Sequence, residues 1–241
     1  MTESSALVFG GGGGIGAAIS RRLAAEHAVT IGCCANADRA AALRDELIRD
    51  GLVAAIVQSD ATAAVGVEAA FDAATQLGEL GVVVSCVGGW DYKRLAELSG
   101  DDIDNAITLN LRSALLILAE SARRVNDGGR VVMLSSAAAY VAPSRQATYA
   151  AAKSGLEVAA RVASKEMARR GITVNVVRPG ATDTATLRDG TSERAIEAMA
   201  GSNAMRRLGS PEDIAGAVMM LCSSDAAWVT GNVIDATGGL W

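Results

Sequence analysis

Seven short apolar runs punctuate the chain, at residues 6–9, 28–34, 53–58, 82–86, 130–135, 172–177 and 232–235. Between them lie longer stretches in which apolar positions recur every three or four residues, at 15–26, 39–49, 67–77, 103–125 and 149–170. Short continuous apolar runs predict strands buried on both faces, and the amphipathic stretches predict helices. Their alternation predicts an α/β protein: a seven-stranded parallel sheet, doubly wound by right-handed crossovers, with helices on both faces. With only 3 prolines and no low-complexity stretch, nothing divides the chain, so residues 1–241 are expected to form one domain. Residues 185–205 break the rhythm. They are polar and follow the carboxyl end of a strand, the edge at which open α/β sheets bind ligands, so a substrate lid is expected there.

Composition narrows the function. Half of the residues are hydrophobic, enough for a sizeable core, and the net charge of -5 argues against nucleic acid as a partner. The arginine pairs Arg21-Arg22, Arg123-Arg124 and Arg169-Arg170 fit exposed helix faces better than a basic stripe. Cys33, Cys34, Cys86 and Cys222 lack metal or disulfide spacing and read as reduced thiols; no metal site is expected. No apolar run has membrane-spanning length, and Met1-Thr2-Glu3-Ser4-Ser5 does not open a signal peptide, so a cytoplasmic location is the default. The single histidine, His27, is expected to be structural.

The first strand runs into Gly10-Gly11-Gly12-Gly13-Gly14-Ile15-Gly16, which opens the first helix. Glycines at that turn let backbone approach a pyrophosphate, and the helix N-terminus supplies free N–H groups and a favourable dipole. Nucleotide binding is favoured over a flexible linker by the strand-to-helix context. The second strand ends Gly32-Cys33-Cys34-Ala35-Asn36, with no acid before Asp38 to bond a ribose 2′-hydroxyl. NADP(H) is therefore favoured, with Asn36 and Arg39 as candidates to meet a 2′-phosphate, and NAD(H) remains possible.

Tyr149 and Lys153 are four residues apart in a helical stretch, on one face, in a chain with 3 tyrosines. A nearby ammonium favours phenolate, so the tyrosine pKa is expected below its usual value of about 10. That would suit Tyr149 to proton transfer near neutral pH. An exposed tyrosine beside a solvated lysine is the alternative. Ser136 lies thirteen residues upstream of Tyr149.

Together these features resemble the short-chain dehydrogenases/reductases of the Tyr-x-x-x-Lys type, particularly the 3-oxoacyl-carrier-protein-reductase-like branch. Phe9-Gly10 through Gly16 resembles the family's Thr-Gly-x-x-x-Gly-Ile-Gly loop, which places its glycines at Gly10, Gly14 and Gly16, with Gly13 and Ile15 between them. Asp60, followed by Ala61, matches the acid that contacts adenine. Asn110, Ser136, Tyr149 and Lys153 match the catalytic tetrad. Pro179-Gly180-Ala181-Thr182-Asp183-Thr184 resembles the segment that holds the nicotinamide carboxamide, and Arg207 to Ala215, Val229-Thr230-Gly231 and Gly238-Gly239 complete the likeness.

The resemblance implies a Rossmann-type fold and hydride exchange between a nicotinamide and a carbonyl carbon, with Ser136 bonding the substrate oxygen. Tyr149 would transfer the proton, and Lys153 would also contact the nicotinamide ribose. Asn110 would hold a water linked to Lys153. Relatives pair the helices at 103–125 and 149–170 into homodimers or homotetramers, here through Ala150, Ala151, Ala159 and Ala160.

Three departures stand out. Phe9 replaces Thr, the fourth-strand Asn-Asn-Ala-Gly becomes Ser85-Cys86-Val87-Gly88, and Gly13 lacks the basic residue of many NADP-dependent relatives. Reduction of a ketone or 3-oxoacyl carbonyl is the leading reading; oxidation of a secondary alcohol, sugar or cyclic diol is the second, and a non-catalytic nucleotide sensor the third. Trp90, Tyr92, Tyr140 and Gln146 are candidates to contact the small-molecule substrate. Arg145 is either an anchor for an anionic tail or an exposed arginine.

Overall fold

A computed structural model describes residues 4–241. Met1–Glu3, at the N-terminus read as leader-free, lie outside the described residues. Seven strands form one sheet: β1 (Ser4–Phe9), β2 (Ala28–Cys33), β3 (Ala54–Gln58), β4 (Glu79–Ser85), β5 (Arg130–Leu134), β6 (Thr173–Pro179) and β7 (Val233–Ala236). Their order is β3-β2-β1-β4-β5-β6-β7, and every neighbouring pair is parallel. Winding reverses between β1 and β4, which opens a crevice at their carboxyl ends.

Side chains alternate across the pleat and build two apolar layers. Ala6, Val8, Val82, Val84, Val132 and Leu134 face α1 (Gly14–Leu23), α2 (Ala37–Arg49) and α10 (Pro211–Cys222), where Ile19, Leu43 and Val218 meet them. Leu7, Phe9, Val83, Val131 and Met133 face α3 (Ala64–Thr75), α5 (Ser113–Arg124) and α7 (Ala147–Met167), against Phe71, Ile117 and Leu156. Phe9, the residue in place of Thr, is 2% exposed and packs on Phe71 with ring centroids 6.0 Å apart. Packing thus replaces the hydroxyl's tie. The main chain still crosses the switch point, as Cys86 N–H donates to Phe9 O at 2.9 Å.

The single helix expected at 103–125 is divided. Helix α4 (Gly100–Ile107) passes into a π-helical turn, Thr108–Arg112, before α5 begins. Asn110 Nδ2 bonds Ala106 O at 3.0 Å and Ser113 Oγ bonds Leu109 O at 2.5 Å, so side chains engage carbonyls of the helical ladder on both sides of the turn. Side chains inserted into that ladder favour such a distortion, and single π turns recur at functional sites. Helix α7 stops at Met167 and tightens over Ala168–Arg170 into Gly171, whose φ of 68° closes the helix.

Four helices were not anticipated as separate elements: α6 (Ala138–Val141), α8 (Ala185–Asp189), α9 (Glu193–Gly201) and α10. The start of α10 was legible, because Ser210 accepts from Asp213 N–H at 3.1 Å while Asp213 accepts from Ser210 N–H at 2.7 Å. That reciprocal cap, with Pro211 in the first turn, marks a helix start in sequence. No helix among the described residues is long and apolar enough to cross a membrane. His27 is bonded to Ser4 at 2.9 Å, and burial lowers its pKa.

Candidate active site

A cleft of about 670 Å³ runs along the carboxyl ends of the strands. One end is formed by Gly32–Asn36 and Ser59–Thr62; the centre by the glycine loop, Cys86–Gly88 and Pro179–Thr182; the other end by Trp90, Ser136, Gln146 and Tyr149. Gly10, Gly13, Gly14, Ile15, Gly16, Asn36, Asp60, Ala61, Gly88, Tyr149, Lys153, Pro179, Gly180, Thr182 and Thr184 all line it.

Helix α1 starts at Gly14 with no side-chain cap and no acid in its first turn. Its N–H groups and dipole are therefore available to an anion. A Cβ on Gly14 would lie 2.8 Å from Thr184 Cγ2, and one on Gly88 would lie 2.8 Å from Lys153 Nζ. A side chain at either position would collide with a group that lines the cleft. At the β2 end Asn36 is exposed and makes no cap bond. Asp60 is the one carboxylate among the described lining residues, and its Oδ1 accepts from Thr62 N–H and Oγ1 at 2.8 and 2.7 Å. Arg39 is exposed and is not among the lining residues.

Tyr149 and Lys153 sit on α7, facing Ser136 beyond β5. Lys153 is 2% exposed, and its Nζ donates to Leu134 O at 2.9 Å and Val87 O at 3.0 Å. Burial lowers its pKa from 10.5 to about 8, only partly opposed by Cys86. The same enclosure pushes the Cys86 thiol up to about 12. Tyr149 departs from the sequence expectation: its pKa is raised. Burial is the dominant cause, the hydrogen bond with Ser136 acts in the opposite direction, and Tyr92 adds a smaller upward push. The lysine ammonium lies 6.0 Å from the ring centroid and is bonded to carbonyls, so it does not offset the loss of water around the phenol.

Asn110, 1% exposed, stands behind the cleft wall. Its amide donates to Gly89 O at 2.9 Å and accepts from Gly89 N–H at 3.1 Å, which fixes the chain between Gly88 and Trp90. Trp90 is half-buried, with its ring centroid 6.4 Å from that of Tyr149 at 57°. Gln146 is buried and lines the cleft.

Tyr140 does not join this group. It is 61% exposed, stacks on Trp241 with centroids 4.7 Å apart, and lies under the Arg178 guanidinium at 5.4 Å. Arg178 in turn bonds Glu157 at 2.8 and 3.0 Å and Asp235 at 2.7 Å, while Ser135 Oγ donates to Glu157 at 2.6 Å. This largely buried network ties α7, the end of β5, β6 and β7 directly behind Ser136 and Pro179. It draws Tyr140 to the outer side. Arg145 also faces away: its guanidinium donates to Tyr92 O at 3.3 Å, and it lines a separate hollow with Lys93 and Arg94.

Several lining residues escaped sequence reading. Cys33, Ser59, Cys86, Leu109 and Pro143 contribute, as do Leu187, Met199, Ser202 and Asn203 from the 185–205 segment, and Thr237 and Leu240. Gly238-Gly239, with φ of 66° and 77°, was the available signal for that last turn.

The uncapped helix start, the backbone-lined centre and the volume of the cleft fit a nicotinamide dinucleotide. The family model described as Enoyl-(Acyl carrier protein) reductase matches residues 11–241. The (3R)-3-hydroxyacyl-CoA dehydrogenase of Canis lupus familiaris is 34% identical over 262 residues, 100% of this chain and 97% of that protein. A short-chain dehydrogenase/reductase from Serratia marcescens superposes with a TM-score of 0.92 at 33% identity, over 99% of this chain and 97% of its own. An angucycline C-6 ketoreductase solved with bound NADP gives 0.92 at 29%, over 99% and 95%.

The chain belongs to the short-chain dehydrogenase/reductase family. Within it the protein is an NAD(P)-dependent oxidoreductase acting on CH–OH or C=O groups of small molecules.

Proposed function

We propose that the protein is an NADP(H)-dependent carbonyl reductase that converts a ketone to a secondary alcohol, within one domain spanning residues 1–241. The observation that carries the reading is the convergence of Ser136, Tyr149 and Lys153 at one end of a cleft whose centre is a glycine loop. Gly10, Gly13, Gly14, Ile15 and Gly16 hold the pyrophosphate, Asp60 and Ala61 border the adenine, and Pro179, Gly180, Thr182 and Thr184 hold the carboxamide. A reduced nicotinamide bound there would supply the hydride for the carbonyl carbon.

Ser136 donates a hydrogen bond to the carbonyl oxygen and stabilises its growing charge. Tyr149, held as the neutral phenol by burial, gives its proton to that oxygen as the C–H bond forms. Lys153 steadies the phenolate left behind and bonds the nicotinamide ribose. Asn110 positions Gly88–Trp90, and the second lone pair of its Oδ1 holds the water that leads from Lys153. Residues 185–205 act as the lid. Run backwards, the same groups oxidise an alcohol, the direction in the name of the canine relative.

NADP(H) is favoured because no carboxylate stands between Cys33 and Asn36, and because the similar ketoreductase carries NADP. The deciding test is Tyr149→Phe, expected to reduce turnover with NADPH by about 10³-fold while leaving NADPH affinity within a factor of about two. Unchanged turnover would sink the assignment.

Assembly into a homodimer or homotetramer is proposed through α5 and α7. Of the four alanines suggested for that face, Ala150 and Ala160 are buried, Ala159 is half-buried and Ala151 is exposed; Leu115, Val158 and Val162 are the larger exposed apolar side chains on these two helices. Light scattering that returns a clean monomer would remove the claim.

A further inference from the structure

Trp90 is fixed beside the tyrosine hydroxyl's ring at 6.4 Å, and the chain that carries it is pinned on both sides. Before it, the Asn110 amide brackets Gly89; after it, Lys93 N–H donates to Arg145 O at 3.0 Å, and Arg145 bonds Tyr92 O. The indole is therefore part of a preorganised wall. Tyr92, Pro143, Met199 and Leu240 line the same cleft. Among the described lining residues Lys153 is the only cation; two of its three N–H groups bond main-chain carbonyls, and the third is the one assigned above to the nicotinamide ribose. Lys93, Arg94 and Arg145 line a second hollow that meets the cleft only at Pro143, and there Lys93 is paired with Asp102 at 2.5 Å and Arg145 is turned onto Tyr92 O. Once Lys153 is engaged with the ribose, no lining cation is left for an anionic tail, whereas a flat ring would find an aromatic face.

We propose that the preferred substrate is a neutral, flat aryl ketone, whose ring stacks on Trp90 while its carbonyl oxygen meets Ser136 and Tyr149. This rests on the carbonyl-reductase reading above and narrows it. Trp90 is then a specificity residue: it holds the ring and takes no part in proton or hydride movement. A well-placed aromatic pair corresponds to about a tenfold effect on binding.

The test measures NADPH-dependent reduction of α-tetralone and of acetoacetyl-CoA by the intact enzyme, Trp90→Ala and Trp90→Phe. The expected result is a higher kcat/KM for α-tetralone in the native enzyme. Trp90→Ala should raise KM for α-tetralone about tenfold with a much smaller change in kcat. Trp90→Phe should recover most of that loss, and acetoacetyl-CoA turnover should not follow the series. Preference for acetoacetyl-CoA, or equal losses on both probes in Trp90→Ala, overturns the substrate class and leaves the reductase reading standing. Bound NADPH with no turnover of any carbonyl, aliphatic ketones included, overturns both.

Discussion

The two ends of the cleft are built differently. At the Tyr149 end, Lys153 is buried with two of its N–H groups bonded, and Asn110 and Glu157 are buried and held by main chain, serine or arginine. At the Asn36 end, Cys34, Ala35 and Asn36 are exposed, and Asn36 caps nothing. Enclosure shifts pKa values and holds groups in register; exposure lets contacts be exchanged at little cost. Substitutions at the first end should therefore be severe and those at the second mild.

The largest effect is expected for Lys153→Met, with kcat/KM for reduction falling at least about 10²-fold. In the native enzyme the Lys153 charge is present below about pH 8 and lost above it. A decline of kcat/KM as pH rises through that value should follow. Stability carries the opposite sign. The folded pKa lies below the unfolded one, so the unfolded chain binds more protons between about 8 and 10.5. Urea midpoints should show the native protein gaining on Lys153→Met as pH rises through that window. A flat difference would contradict the buried charge.

Next is Arg178→Ala, which leaves Glu157 buried without its cation. A loss of roughly 3 kcal/mol is expected, read as a lowered urea midpoint with unchanged m-value. A loss below about 0.5 kcal/mol would show that the network behaves like a surface pair. The mildest change is Asn36→Asp. It should move the NADPH/NADH preference toward NADH by about tenfold, about 1.4 kcal/mol, and leave stability within about 0.5 kcal/mol. A stability loss as large as that of Arg178→Ala would erase the contrast between the ends.

The strand–helix alternation was readable because its periods of two and three to four residues are properties of contiguous chain. The Tyr149–Lys153 face and the glycine turn were readable for the same reason, and the residues expected at the nucleotide line the cleft, Arg39 excepted. Residues joined only by the fold were not. Arg178 reaches Asp235 across 57 positions and Ser135 reaches Glu157 across 22, and neither spacing carries a periodic mark.

Local pattern thus settled the architecture and brought the candidate site residues to one edge of the sheet, since neighbours in sequence share a helix face or a turn whatever surrounds them. Tertiary packing decided the rest. It divided the helix around Asn110, turned Tyr140 outward onto Trp241 and set Trp90 beside Tyr149. It also raised a tyrosine pKa that an isolated helix would have lowered. Desolvation depends on everything packed around a group, and the chain acquires that environment only when distant segments meet.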